Sequence, residues 1–101
     1  MSESSYWLYN QIKNKLNVKK ISKHCIEIYK DEKIITVYCP TTEEYEITYA
    51  VVQNAIHEKA NIIAFPIQWC KATSSAKSYG REHGIKVIPF GKFFSEFGIS
   101  S

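Results

Sequence analysis

A chain of 101 residues, 45% hydrophobic and 14% aromatic, has the size and composition of one domain, which excludes a disordered or fibrous class. No stretch approaches the ~20 consecutive apolar residues of a membrane-spanning helix, and residues 1–9 lack the basic and apolar regions of a secretory signal, so the expected setting is a soluble, cytoplasmic single domain over residues 1–101. The net charge of +3 is mild but unevenly laid out: residues 1–24 carry +4, residues 25–58 carry −5 and residues 59–101 carry +4, a pattern that makes separate basic and acidic surfaces.

Ser5 stands where a helix cap belongs, and Leu8, Ile12 and Leu16 then recur every four residues with Trp7 and Tyr9 beside them. That spacing predicts an amphipathic helix over 6–17. Lys13 and Lys15 fall off its apolar stripe, and residues 19–24 read as a polar, positively charged connection. Cys25 to Tyr29 alternates apolar and polar residues, 30–33 is turn-like, and Ile34 to Cys39 is β-branched and aromatic. A β-hairpin is predicted there, stopped by Pro40. Thr41 and Glu44 have the spacing of a capping box, and Tyr45, Tyr49, Val52 and Ile56 share a helical face. A second helix is predicted over 42–59, with Ile47 and Val51 off its stripe. Ile62 to Phe65 is an apolar strand ended by Pro66. Thr73 or Ser74 can cap a third helix carrying Ala72, Ala76, Tyr79 and His83 on one face, with Gly84 past its end. Ile85 to Ile88 forms the next strand, closed by Pro89, and Gly91 leads into a short terminal helix around Phe93 and Phe94. The order α-β-β-α-β-α-β-α defines an α/β fold. Its mixed sheet of about four strands has helices on both faces, with 62–65 and 85–88 adjacent and parallel.

Motifs for chemistry are sparse. The four glycines are scattered and make no phosphate loop. His24, His57 and His83 stand singly, without a partner at metal-ligand spacing. No nucleophile elbow occurs, and the acid pairs Asp31-Glu32 and Glu43-Glu44 occupy a turn and a helix start, where acids serve structure. No catalytic residue, metal or cofactor is therefore assigned. Three widely spaced cysteines argue for free thiols in a reducing compartment. Cys25 and Cys39 read as buried, while Cys70, beside Lys71 and before the third helix, is the thiol whose pKa a helix start would lower. Lys13, Lys15, Lys19, Lys20 and Lys23 form a run of five lysines with no acid among them, following Tyr6, Trp7 and Tyr9. They are the candidate nucleic-acid contacts, for DNA or RNA. The competing reading is a protein-interaction module, a homodimer or a subunit of a larger assembly, using the extra apolar pair Ile47 and Val51 of the second helix.

One resemblance adds to this. The segments 61–65, Thr73-Ser74-Ser75-Ala76, Tyr79-Gly80, 84–88, Gly91 and Phe93-Phe94 resemble the end of a restriction-endonuclease-like domain of the Mrr type. The helix over 42–59 and the hairpin before it match in order. The resemblance implies a nuclease-type scaffold whose chemistry needs an Asp on one strand and Glu-x-Lys on the next to hold Mg²⁺ and activate water. Here the first strand offers Glu27 and the second reads Thr36-Val37-Tyr38-Cys39. The resemblance thus implies a relative that binds nucleic acid without cleaving it.

Overall fold

The alternation across residues 25–38 is that of two paired strands. The computed structural model, which describes residues 4–99, has them as β2 (Cys25–Lys30) and β3 (Lys33–Tyr38), antiparallel, with Cys25 opposite Tyr38 and Lys30 opposite Lys33. Asp31 and Glu32 make the two-residue turn with φ of 52° and 64°. This left-handed pair matches the twist of a tight hairpin. An unpredicted strand, β1 (Asn17–Lys20), lies antiparallel along the outer side of β2. It replaces the predicted polar connection. Only Val18 of its four residues packs against the core, too little to announce a strand, and its lysines suit an edge position.

The second half of the sheet is parallel. From β3 the chain runs through β4 (Glu46–Ile47) and α2 (Tyr49–His57) to β5 (Ile62–Phe65), then through β6 (Lys71–Ala72) and α3 (Ser74–Glu82) to β7 (Lys86–Pro89). The strands β5 and β7 are adjacent and parallel, as predicted, with Ile62 opposite Lys86 and Phe65 opposite Pro89. Among the described residues the main sheet has five strands in the order β1-β2-β3-β5-β7, one more than predicted, and β4 and β6 form a small parallel pair.

Helices cover both faces. On one side Leu8 and Ile12 of α1 (Ser4–Ile12) and Phe93 of α4 (Phe90–Glu96) pack against Ile26, Ile28, Val37, Ile62 and Ile88. On the other, Val51, Val52 and Ala55 of α2 and Ala76 of α3 pack against Tyr38, Ile63 and Phe65. Neighbouring residues of one strand therefore serve opposite cores, each fully buried apolar side chain contributing about 1.5–3 kcal/mol.

Three predicted helix details change. The first helix ends at Ile12, not 17, where Lys15 and Leu16 donate to the Ile12 carbonyl in a turn. Ser5 is buried in that helix and donates to the Lys23 carbonyl at 2.5 Å, so it ties α1 to the β1–β2 turn rather than capping. The second helix starts at Tyr49 after Thr48, not at 42. Its core stripe is Val51, Val52 and Ala55, while Tyr45 and Tyr49 are exposed and Ile47 is buried in β4. The third helix keeps its predicted cap, the Thr73 hydroxyl accepting from the Ala76 N–H at 3.0 Å, and Gly84 follows it at φ 73°.

Gly80 is the closest approach of α3 to the sheet. A Cβ there would meet Val87 Cγ2 at 3.0 Å and the Ile85 carbonyl oxygen at 3.1 Å. Alanine gains about 1 kcal/mol in helix propensity, but overpacking against a fixed backbone oxygen costs about 1–3 kcal/mol. Gly80→Ala is expected to lose about 1 kcal/mol net, read from the midpoint of urea unfolding. At the hairpin the sign reverses. Asp31→Asn with Glu32→Gly relieves two left-handed side chains and is expected to raise stability by about 1 kcal/mol in the same measurement.

Candidate functional site

Parallel strands end on the same edge of a sheet. Here β3 and β5 are followed within two residues by Pro40 and Pro66, and β7 ends in Pro89. Proline has no N–H, so the ladder stops there. Beyond β5 the chain turns to the face covered by α2 and α3, whereas beyond β7 it enters α4 on the opposite face. Diverging exits of this kind open a crevice at the carboxyl ends of the strands, the usual ligand position in open α/β sheets.

A groove of about 860 Å³ occupies that position, within the range of small-ligand sites. Its walls are Ser4 and Trp7 of α1, Thr42 and Tyr45 of the loop after β3, residues 66–69 after β5, and Phe90, Gly91 and Phe94 of α4. None of these described lining residues carries a charge. Among the described residues eight large apolar side chains are exposed, and four of them, Trp7, Tyr45, Ile67 and Trp69, line this groove. Such concentration of exposed apolar surface marks a contact site. The Trp7 ring lies on Phe90 with centroids 5.4 Å apart and planes 6° from parallel, so one wall is already built as a stack. Tyr45 and Trp69 stack on no other ring among the described residues.

The loop forming the Thr42–Tyr45 wall is held by one carboxylate. Glu44 Oε1 accepts from the Thr41 N–H at 2.9 Å and pairs with His24 Nε2 at 2.9 Å, and Oε2 accepts from the Tyr38 hydroxyl at 2.9 Å. The His24 and Tyr38 rings stack at 4.6 Å, 9° from parallel. Burial opposes ionisation of Glu44, but the Thr41 N–H, the Tyr38 hydroxyl and His24 outweigh it and hold the carboxyl below the ordinary value of 4.5. Burial, then Glu44, pushes the Tyr38 phenol far up, so it remains a donor. The predicted capping box is thus half formed: Glu44 takes the Thr41 N–H, but to close a turn, not to start a helix.

Cys70 corrects a second expectation. It is buried, donates weakly to the Glu44 carbonyl at 3.4 Å, and has its pKa pushed up to about 11 by burial, Glu44 and Glu46. That is the reverse of an activated thiol. Cys25 is likewise raised to about 11, chiefly by burial, and among the described residues all three cysteines are free.

The five predicted lysines lie on one margin of the molecule without converging on a point. Lys13 and Lys15 are in the turn after α1, Lys19 and Lys20 alternate along the edge strand β1, and Lys23 is in the β1–β2 turn. Lys13 Nζ sits 6.0 Å from the Tyr9 ring centre, Lys20 donates to the Ser22 carbonyl, and Lys19 lies opposite Glu27. Glu27 accepts from the Tyr29 hydroxyl at 2.7 Å and faces Thr36 across the hairpin. No group of three or more metal-ligating side chains assembles among the described residues, and no described helix is long and apolar enough to cross a membrane. At the opposite end of the sheet a shallower depression of about 700 Å³ includes Lys30, Lys33 and Lys86, Lys86 pairing with Glu96 at 3.0 Å.

Sequence reasoning passed over the groove, because its walls come from four separated segments. The available signal was that aromatic residues follow soon after strand-ending prolines, Trp69 after Pro66 and Phe90 after Pro89. Fold and groove together define a three-layer α/β domain with an aromatic crevice at its carboxyl edge. Comparison with known protein families, curated proteins and solved structures returns no match.

The Glu44 cluster has a measurable acid signature. A carboxyl whose folded pKa lies below its unfolded value stabilises the fold fully above the unfolded value. That contribution is lost as pH falls from about 4.5 through the folded pKa. Urea unfolding between pH 7 and pH 3 is expected to show this loss. Glu44→Gln is expected to cost about 2 kcal/mol near neutrality and to make the acid limb shallower.

Proposed function

We propose that this domain binds nucleic acid without cutting it, using Lys13, Lys15, Lys19, Lys20 and Lys23. The observation that carries this reading is the placement of all five lysines along the α1–β1 margin, on or beside an outer strand, with no acid between residues 13 and 23. Lysines in that setting attract phosphates without reading bases. The reading also draws on the restriction-endonuclease-like resemblance of the sequence over residues 61–94.

Absence of cleavage is supported by what stands on the two strands that would carry the family's acids and lysine. Cys25 is opposite Tyr38 and Glu27 opposite Thr36. Tyr38 is committed to Glu44 and Glu27 to Tyr29. The alternative of a homodimer built on the second helix loses its motive, since Ile47 and Val51 are both buried in the chain's own core.

Binding to a labelled oligonucleotide across a salt series tests the reading. Neutralising about four phosphates gives a slope of log K against log salt near −3.6 on a duplex, or about −2.8 on a single strand. Changing Lys19, Lys20 and Lys23 together to Ala is expected to flatten the duplex slope by up to ~2.7. Absence of binding at low salt, or an unchanged slope in the triple variant, would overturn the reading. In a gel assay with Mg²⁺ the protein is expected to leave DNA and RNA intact. Cutting that disappears with Glu27→Ala would make the domain an enzyme instead.

A further inference from the structure

We infer that the groove at the carboxyl edge of β5 and β7 is a stacking site for unpaired bases of a single nucleic-acid strand. The inference rests on the nucleic-acid reading above and names the form of ligand it implies.

The argument starts from a segregation of chemistry. The described lining residues are uncharged and rich in aromatics, while the neighbouring margin is lysine-rich. A duplex presents phosphates outward and keeps its base faces covered, so it has no use for an open aromatic surface. A single strand presents flat uncharged rings and a charged backbone side by side, and single-strand binders combine a basic track with aromatic platforms to match. Here the two surfaces are physically joined. Ser4 lines the groove and bonds to the Pro40 carbonyl. The next residue, Ser5, holds the backbone of Lys23 at 2.5 Å. The β1–β2 turn is therefore fastened to the end of α1 that forms the groove wall.

The platforms are also of the right kind. Trp69, 39% exposed, and Tyr45, 69% exposed, offer ring faces that no other described ring covers. The same groove is lined by the Trp7–Phe90 stack. Gln68 and Thr42, both exposed on the lining, add an amide and a hydroxyl that can donate or accept at a base edge. The described lining residues carry no charge, so they offer phosphate no counter-ion, and the lysine margin does.

Three probes decide this: an oligothymidylate of about a dozen nucleotides, within the footprint of single-strand binders, a duplex of the same length, and a deoxyribose-phosphate oligomer of the same length lacking bases. The oligothymidylate is expected to quench tryptophan fluorescence and to bind more tightly than either of the others. Trp69→Ala is expected to weaken its binding by roughly 5- to 150-fold, the range for one lost stacked base, with the salt slope unchanged and the base-free oligomer unaffected. Tyr45→Ala should act in the same direction, and Trp69→Phe should retain most of the affinity. Tyr45 is 69% exposed, so Tyr45→Ala should unfold near the wild-type urea midpoint, whereas Trp69 is only 39% exposed and Trp69→Ala is compared with Trp69→Phe after the urea midpoint of each is measured. If the base-free oligomer or the duplex binds as well as the oligothymidylate, or if Trp69→Ala and Tyr45→Ala change nothing, the stacking site is overturned. The lysine reading then still stands if the triple lysine variant flattens the slope. If the lysine variant has no effect while the oligothymidylate still quenches, the groove survives and the lysine margin does not.

Discussion

The seam between β3 and β5 holds the architecture together. An antiparallel meander, β1-β2-β3, meets a parallel pair, β5-β7, along two residue pairs only, Val37 with Ile62 and Tyr38 with Ile63. Asn61 extends that short ladder. Its side-chain oxygen accepts from the Thr36 N–H at 2.8 Å, its own N–H donates to the Thr36 carbonyl at 2.8 Å, and its carbonyl accepts from Lys86 N–H at 3.1 Å. One residue thus sets the start of β5 against both neighbours. Because the seam is parallel, β3, β5 and β7 must end together, and every loop of the groove wall except the α1 side leaves from that shared edge. The groove is a consequence of sheet direction before it is a consequence of any aromatic residue.

The parts of the fold legible in the sequence were those governed by one dominant period or one punctuating residue. Ile62–Phe65 and Ile85–Ile88 stand out as apolar runs closed by proline, matching β5 and, within a residue, β7, and Thr73 and Gly84 bracket α3 as cap and terminus. The misses share a cause. Tyrosine counts as apolar in a pattern, yet its hydroxyl lets it stand in water, so Tyr45 and Tyr49 drew the second helix too early and in the wrong phase. The strand β1 was hidden because an edge strand need pack only one apolar side chain, here the half-buried Val18.

The site was less legible still, because its determinants act over long separations. Glu44 has a local pattern, Thr41 three residues before it, that promises a helix start. Its carboxylate is instead held by His24, twenty residues upstream, and Tyr38, six residues upstream. Burial first, and then the same acid with Glu46, raises the pKa of the Cys70 thiol, where a helix start and Lys71 beside it in sequence would lower it. Local charge rules fail where a buried neighbour from another segment is closer than the sequence neighbour. An uncharged groove offers even less to a reader of sequence, since no titratable pair or glycine loop announces it.

The sheet also divides the molecule's interior. Ile62, Ala64 and Ile88 pack with α1 and α4, while Ile63 and Phe65 pack with α2 and α3, and the backbone lies between. Among the described residues the buried side chains form two separate clusters, so a change of volume within one cluster has no packing partner in the other. Substitutions in the two layers should therefore combine additively, and either layer can be remodelled, or can drift over evolutionary time, while the other stays as it is.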